Sequence, residues 1–321
     1  MESDPTLHTK SMVVQLQTLI INAFKYLSPL PQRPYLVIID GLDECHDNAT
    51  QQLILRLLCE AVTVHKLPLR FLIGSRPESH IRDSFDQESL YTVTRRVVLD
   101  ETFNPERDIR VFLQDGFAKI CAKMRRKYSV PSHVEQSCQW PGEGIIDLLV
   151  QRSSGQFIYA ATVLKFVGAD FCSPTKQLAL ILKRDPTAFS DLDHLYTQIL
   201  SAYPSAANIV QVLGTILAFD DDLDPDVIED ILGMEEGDLG LVLSGLSSLM
   251  EDDSYENGAY LNKGFFAYHD VIPRFTHASF SDYLFDSSRS GPFYVNLREL
   301  KTRLLYGAFH SLFNGFGLGG K

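Results

Sequence analysis

Positive charge is in short supply in this chain, which has 29 Lys and Arg residues against 41 Asp and Glu and a formal net charge of -12. Proteins that bind a phosphate backbone need clustered Lys and Arg, so this excess of acidic residues argues against a nucleic-acid partner. The one basic cluster lies at residues 123–127, near the end of a predicted helix. Cations complement the helix dipole there, which explains the cluster without a ligand.

Paired cysteines and long apolar runs are also missing. The five cysteines are odd in number and show no Cys-x-x-Cys spacing, which predicts neither a zinc site nor a disulfide framework. No apolar run approaches the roughly 20 residues of a membrane span. The chain begins with acidic and polar residues, unlike a signal peptide. We therefore expect a cytoplasmic protein that does not enter a membrane.

The most informative stretch runs from Tyr35 to Cys45. Five apolar residues, rich in β-branched types, end in Asp40, Gly41 and two further acids, Asp43 and Glu44. Such a run predicts a strand buried on both faces, as in the centre of a parallel sheet. Open α/β sheets bind ligands at the carboxyl ends of their strands, which is where these acids would lie.

The remaining chain alternates briefly between strands and helices and then becomes helical. A helix from Asp47 and a second strand at 69–74 predict a βαβ unit with parallel strands. Residues 91–99 have the composition of a third strand, and a helix is predicted over 104–127. Helical segments follow from 144 onward. Three helices and a short hairpin at 254–268 suggest a winged helix.

The acids after the first strand suggest phosphate chemistry. A carboxylate in the position of Asp40 holds Mg²⁺ beside a triphosphate in nucleoside-triphosphate hydrolases. Asp43 and Glu44 follow a tight turn, from which a carboxylate could orient or deprotonate an attacking water. The alternative is that these acids only cap the helix that begins near Asp47.

This acidic stretch and two later motifs, in their order along the chain, resemble motifs of the NACHT family of nucleotide-binding signalling ATPases, particularly its fungal members. Residues 37–45, Val-Ile-Ile-Asp-Gly-Leu-Asp-Glu-Cys, are similar to the extended Walker B motif, and residues 71–78, Phe-Leu-Ile-Gly-Ser-Arg-Pro-Glu, to the sensor strand. The resemblance implies that Arg76 approaches the terminal phosphate. Residues 275–280, Phe-Thr-His-Ala-Ser-Phe, resemble the motif whose histidine, here His277, touches the phosphates of ADP.

Each of these roles has a simpler alternative. A loop arginine such as Arg76 is often solvated or paired with a nearby acid. A lone histidine between apolar residues, such as His277, is commonly a packing residue. The family's adenine-contacting Gly-x-Pro motif corresponds to residues 155–157, in which Phe157 replaces proline and could stack on a base.

The largest departure from the family pattern is the absence of a P-loop before the first strand. Nothing before Tyr35 has the form Gly-x-x-x-x-Gly-Lys-[Ser/Thr], whose backbone N–H groups cradle phosphates. The partial match at 315–321 lacks the hydroxyl residue and any following helix, so we interpret it as a coincidence of a glycine-rich segment. Tight nucleotide binding by this chain alone is therefore not expected.

The resemblance implies a truncated α/β domain of the P-loop NTPase type with a partial parallel sheet over 1–128, and then an all-helical domain over 129–203. A winged-helix domain over 204–300 and a helical connection with the glycine-rich tail over 301–321 would follow. The cofactors would be ATP or ADP with Mg²⁺. Complete relatives would switch and oligomerise on nucleotide exchange and hydrolyse NTP slowly, for instance in fungal self/non-self recognition or innate immunity.

Two rival functions remain open from the sequence. The first is a truncated NACHT-type signalling module that still responds to nucleotide. The second is a nucleotide-independent protein–protein interaction module derived from such a protein. Nucleic-acid binding through the winged helix is disfavoured, because residues 238–249 contain no basic recognition stretch.

Overall fold

The chain forms two compact units, Met1–Val98 and Leu99–Lys321, which we call the N-terminal and C-terminal units. The computed structural model describes residues 6–25, 33–45, 47–99, 101–127, 140–169, 173–183, 190–202, 206–219, 224–235, 237–250, 274–302 and 304.

The N-terminal unit combines short helices with two strands. In chain order its elements are α1 (Met12–Gln15), a π-helical turn (Leu16–Ile21), α2 (Asn22–Lys25), β1 (Tyr35–Ile39), a 3-10 turn (Leu42–Glu44), α3 (Asn48–Thr63), β2 (Leu69–Ile73), α4 (Ser79–Asp86) and α5 (Glu88–Tyr91). The two strands are parallel, with Tyr35 opposite Leu69 and Ile39 opposite Ile73. The parallel pairing across a helix was thus predicted correctly.

Capping and a small apolar core fix this unit. Asp47 is the N-cap of α3, and its carboxylate accepts a hydrogen bond from the Thr50 backbone N–H at 2.6 Å. The buried core consists of Leu42, Leu55, Cys59, Ile81 and Leu90. The core therefore joins the turn after β1 to the inner faces of α3, α4 and α5.

The C-terminal unit is helical in its described part. Its helices are α6 (Pro105–Lys127), α7 (Glu143–Ser153), α8 (Phe157–Val167), α9 (Pro174–Leu182), α10 (Asp191–Ser201), α11 (Ala206–Ala218), α12 (Pro225–Leu232), α13 (Asp238–Gly245), α14 (Ala278–Phe285) and α15 (Ser287–Ser290). One large apolar core runs through it, and among its most buried large side chains are Phe117, Tyr159, Tyr196, Phe280 and Tyr283. The predicted domain boundaries at 128, 203 and 300 stay predictions.

The predicted fold class is wrong. The described residues are mostly helical and contain one two-stranded parallel sheet, rather than the larger sheet of a P-loop α/β domain followed by a winged helix. The predicted hairpin at 254–268 lies outside the described residues.

The predicted burial of β1 and the predicted third strand at 91–99 are both wrong, for a physical reason. β1 has the composition of a central strand, yet Leu36 is 61 % and Ile38 is 66 % exposed, because no described element covers that face. Residues 91–99 are not a strand: Tyr91 ends α5, and Val97, Val98 and Leu99 are exposed. A β-rich composition measures fit to a pleated, half-buried surface, and it forms a strand only where a neighbouring strand is available.

Candidate functional site

The acidic loop of the N-terminal unit begins with a left-handed turn at Gly41. Its φ of 71° and ψ of 44° are a conformation that side chains rarely adopt. The next residue, Leu42, is fully buried, and its N–H donates to the Gly74 carbonyl at 3.1 Å. The Gln51 side-chain amide donates to the backbone carbonyls of Asp43 and Cys45 at 3.0 and 2.8 Å. The loop is therefore fixed at the carboxyl ends of β1 and β2.

Asp43 is bound to the loop that follows β2. Its Oδ1 accepts hydrogen bonds from the Arg76 backbone N–H at 2.9 Å and the Ser75 hydroxyl at 3.1 Å. The Arg76 Nε lies 3.4 Å from Oδ2, and the Asp43 side chain is only 9 % exposed. Asp43 therefore connects the motif at residues 37–45 to the motif at residues 71–78.

Asp40 and Glu44 are placed differently from Asp43. Both are exposed, and the Asp40 carboxylate lies against the Cα of Gly74, where an added Cβ would meet Oδ1 at 2.6 Å. In the described part of the chain, no group of three or more His, Cys, Asp or Glu side chains could hold a metal ion. The role of Asp40 as a metal ligand therefore stays a prediction. The catalytic roles of Asp43 and Glu44 also stay predictions.

A second candidate site is an apolar cleft in the C-terminal unit. Its volume is about 500 Å³, and it is lined by Phe112, Gln156, Phe157, Ile158, Ala161 and His277. Phe112 and Phe157 meet edge to face, with ring centroids 5.8 Å apart. The described lining includes no Lys or Arg, so the cleft suits a flat apolar ring better than a chain of phosphates.

The turn between α7 and α8 places Phe157 at this cleft. Ser154 ends α7 in a left-handed conformation with φ of 47°, and Gly155 follows with φ of 79°. An added Cβ at Gly155 would lie 3.2 Å from the Pro105 ring, so glycine is favoured on both counts. Gln156 is then the N-cap of α8, and Phe157 is its first residue.

Hydrogen bonds from α8 also position His277. The Lys165 ammonium on α8 donates to the Met250 carbonyl at 3.1 Å, and the Thr276 hydroxyl donates to the same carbonyl at 2.7 Å. His277 follows directly as the N-cap of α14, and its Nδ1 accepts from the Ser279 backbone N–H at 3.1 Å. His277 is exposed rather than a core packing residue.

The predicted site residues therefore fall into two groups. Asp40, Asp43, Glu44 and Arg76 lie at the carboxyl ends of the two strands of the N-terminal unit. His277 lies in the C-terminal unit and lines the same cleft as Phe157, and its contact with phosphates stays a prediction.

Comparison with known proteins gives one partial match. Residues 1–76 match the family model for the N-terminal region of nephrocystin 3. The nephrocystin 3 match includes Asp40, Asp43 and Glu44 and ends at Arg76, and it covers less than a quarter of the 321 residues. No curated protein and no solved structure matches the chain.

Sequence reasoning missed three residues of the cleft and its surroundings. Phe112 lies in the helix predicted over 104–127 but was not singled out, although it lines the cleft. Tyr196 and Ser279 were not singled out, although the Tyr196 hydroxyl lies 2.8 Å from the Ser279 hydroxyl. A serine two positions after a histidine at a helix start is a local capping pattern and could have drawn attention to Ser279.

No described helix has the length and apolar character needed to cross a membrane.

Proposed function

We propose that this chain is a nucleotide-responsive signalling module of NACHT type, in which the cleft of the C-terminal unit receives the adenine ring of ADP or ATP. The observation that carries the proposal is the meeting of Phe112, Phe157 and His277 in one cleft. Two of these residues belong to sequence motifs that resemble the nucleotide-contacting motifs of that family.

The chemistry of the cleft supports a purine base as the ligand. Stacking of a base on an aromatic side chain contributes about 1–3 kcal/mol as judged by alanine substitution. Small-molecule sites are mostly apolar concavities of roughly 300–1,000 Å³ with a few polar groups that fix orientation. Gln156 and His277 supply those polar groups here. Phosphates would find no cation in the described lining, so we expect modest affinity.

Calorimetric titration of the full chain with ADP and Mg²⁺ tests this proposal. We expect a micromolar to submillimolar dissociation constant, weakened about tenfold in His277→Ala because one hydrogen bond to the ligand is lost. His8→Ala is a matched control, since His8 is exposed on a different unit. The absence of binding heat with both ADP and ATP would refute the proposal.

A nucleotide-independent interaction module is the second candidate, favoured by the surface of the N-terminal unit. Leu36 and Ile38 share one face of β1, and Leu72, opposite Ile38, extends that face onto β2. All three are more than half exposed, which is unusual for a contiguous apolar patch on a monomer. Micromolar ADP affinity that is weakened in His277→Ala but not in His8→Ala would exclude this candidate.

A further inference from the structure

A short chain of hydrogen bonds links His277 to the buried core of the C-terminal unit. The Ser279 hydroxyl oxygen lies 2.7 Å from His277 Nδ1 and 2.8 Å from the Tyr196 hydroxyl. The Ser279 backbone N–H also donates to the same Nδ1 at 3.1 Å. One serine therefore connects an exposed imidazole at the cleft to a tyrosine that is 1 % exposed.

The direction of these hydrogen bonds follows from their donors. A backbone N–H can only donate, so His277 Nδ1 is an acceptor and carries no proton. The proton of the neutral imidazole is then on Nε2. The Ser279 hydroxyl must likewise donate to Nδ1, which leaves its oxygen to accept the Tyr196 O–H.

Tyr196 is a rigid anchor for this chain. Its ring packs against Phe280 and Tyr283, with centroid distances of 5.0 and 5.4 Å. Burial raises the pKa of the Tyr196 phenol to about 12, so its hydroxyl stays a donor over the physiological pH range. The anchor is on α10, whereas Ser279 is in the first turn of α14.

We propose that Tyr196 and Ser279 are positioning residues that fix the His277 imidazole with Nδ1 turned inward and the Nε2–H edge available to a ligand in the cleft. This inference rests on the proposed function for its ligand. It adds that the cleft selects a ligand that combines an aromatic ring with a hydrogen-bond acceptor, because a fixed Nε2–H can only donate. The ring nitrogens and the phosphate oxygens of an adenine nucleotide both meet that description.

Imidazole ¹⁵N resonances of the free full-length chain test the positioning without any ligand. Wild type should show the Nε2–H tautomer at His277, and the Nδ1 resonance should move toward that of an unbonded acceptor in Ser279→Ala and Tyr196→Phe. Ser279→Thr keeps the hydroxyl and should restore the wild-type resonance. An Nδ1–H tautomer in wild type, or an Nδ1 resonance unchanged in Ser279→Ala, would overturn the proposal.

Tyr283→Phe is the matched control for a purely structural effect. It removes a buried phenol from the same aromatic cluster, but that hydroxyl pairs with Thr197 at 2.7 Å rather than with Ser279. It should leave the His277 resonances unchanged, whereas equal changes in Tyr283→Phe and Tyr196→Phe would contradict a specific role for Tyr196.

Titration with ADP and Mg²⁺ then tests the ligand role separately. Ser279→Ala and Tyr196→Phe should weaken ADP binding about three- to tenfold, the range expected for a hydrogen bond that is less well oriented. Tyr283→Phe should bind as wild type does. If wild type shows the expected tautomer but binds no ADP, the proposed function fails while the positioning of the imidazole is supported.

Discussion

The Asp43 carboxylate joins the two loops at the ends of the strands through the Ser75 hydroxyl, the Arg76 backbone and the Arg76 guanidinium. Asp43→Ala should lower the free energy of unfolding by about 1–3 kcal/mol, because it removes the acceptor of a partly buried backbone hydrogen bond. The Arg76 charge adds little to this loss, since its side chain is 39 % exposed and screened by water.

Urea denaturation of Asp43→Ala checks this expectation, with Glu44→Ala as the control. Glu44 is exposed, and its removal should change the free energy of unfolding by no more than about 0.5 kcal/mol. Equal effects of the two substitutions would mean that the Asp43 contacts do not hold the loop.

Three buried tyrosines give the C-terminal unit a pH dependence at the alkaline end. Burial raises the pKa values of Tyr159, Tyr196 and Tyr283 from 10.0 to about 12. A group with a raised folded-state pKa stabilises the fold below its unfolded pKa and loses that contribution as pH rises through the folded value. The contribution of these three tyrosines to stability should therefore be level below about pH 9.5 and fall between about pH 10 and 12.

Absorbance of tyrosinate measured alongside unfolding checks this sign. The chain has 13 tyrosines. The three buried ones should ionise only near pH 12 or on unfolding. Complete titration of all tyrosines near pH 10 in the folded chain would contradict the burial.

Among the elements, α6 and α8 are packed so closely that Gly116 has no room for a side chain. An added Cβ would lie 2.2 and 2.7 Å from the two methyl carbons of Leu164. In a helix interior alanine is more favourable than glycine by about 1 kcal/mol, but overpacking lowers the free energy of unfolding by about 1–3 kcal/mol. We expect Gly116→Ala to lower the free energy of unfolding by about 1 kcal/mol, because Leu164 is partly buried and can move only partly.

The control for this packing is Gly144→Ala in α7, where an added Cβ meets nothing within 4 Å. Gly144→Ala should be neutral or stabilising in the same urea titration. The double variant Gly116→Ala/Leu164→Ala is then compared with Leu164→Ala. If adding Gly116→Ala no longer lowers the free energy of unfolding, the strain lies at the contact between the new Cβ and Leu164. A Gly116→Ala variant that is more stable than wild type would show that the helices have room.

The outer edge of β1 predicts a tendency to self-associate. Tyr35 N–H donates to the Pro68 carbonyl and the Ile39 carbonyl accepts from Gly74 N–H, so the backbone groups of Leu36 and Ile38 face away from β2. No described strand pairs with them. Unpaired edges with apolar side chains promote association, and an edge lysine opposes it.

Sedimentation at increasing concentration tests the edge with Ile38→Lys. This variant should stay monomeric to higher concentration than wild type, with the free energy of unfolding changed by no more than about 0.5 kcal/mol because Ile38 is already exposed. Val64→Lys is a matched control, since Val64 is also 66 % exposed but lies at the end of α3. The same gain from both variants would mean that general apolar exposure, not the strand edge, drives association.

Helices could be predicted from the sequence where local chemistry specifies them. Asp47 caps α3 by accepting from Thr50, and Pro105 and Pro225 occupy the first positions of α6 and α12, where proline costs no hydrogen bond. The two strands of the sheet could also be predicted, but the third strand predicted over 91–99 is wrong, because this segment has β-rich composition without a pairing partner in the described chain. Pairing depends on distant segments, which local patterns do not contain.

For the whole molecule, the sequence predicted residues better than their arrangement. The structure pairs Arg76 with Asp43, a contact that the sequence offered as an alternative, while its role in phosphate sensing stays a prediction. His277 and Phe157 are far apart in sequence, and the Lys165 contacts of α8 help to hold them at one cleft, which local patterns do not reveal. The order of the motifs suggested a family resemblance, and the fold class was predicted from that resemblance. The described residues form a sheet of only two strands, so that fold class is wrong.

Photolabelling tests directly whether the cleft lined by Phe112, Phe157 and His277 binds an adenine nucleotide, as we propose. The full chain is irradiated with azido-adenosine diphosphate, digested and analysed by mass spectrometry. We predict label on peptides that contain Phe157 or His277, suppressed by excess ADP and reduced in Phe157→Ala but not in Phe103→Ala, an exposed phenylalanine that does not line the cleft. Label confined to residues 1–98, or label that excess ADP does not suppress, would contradict the account.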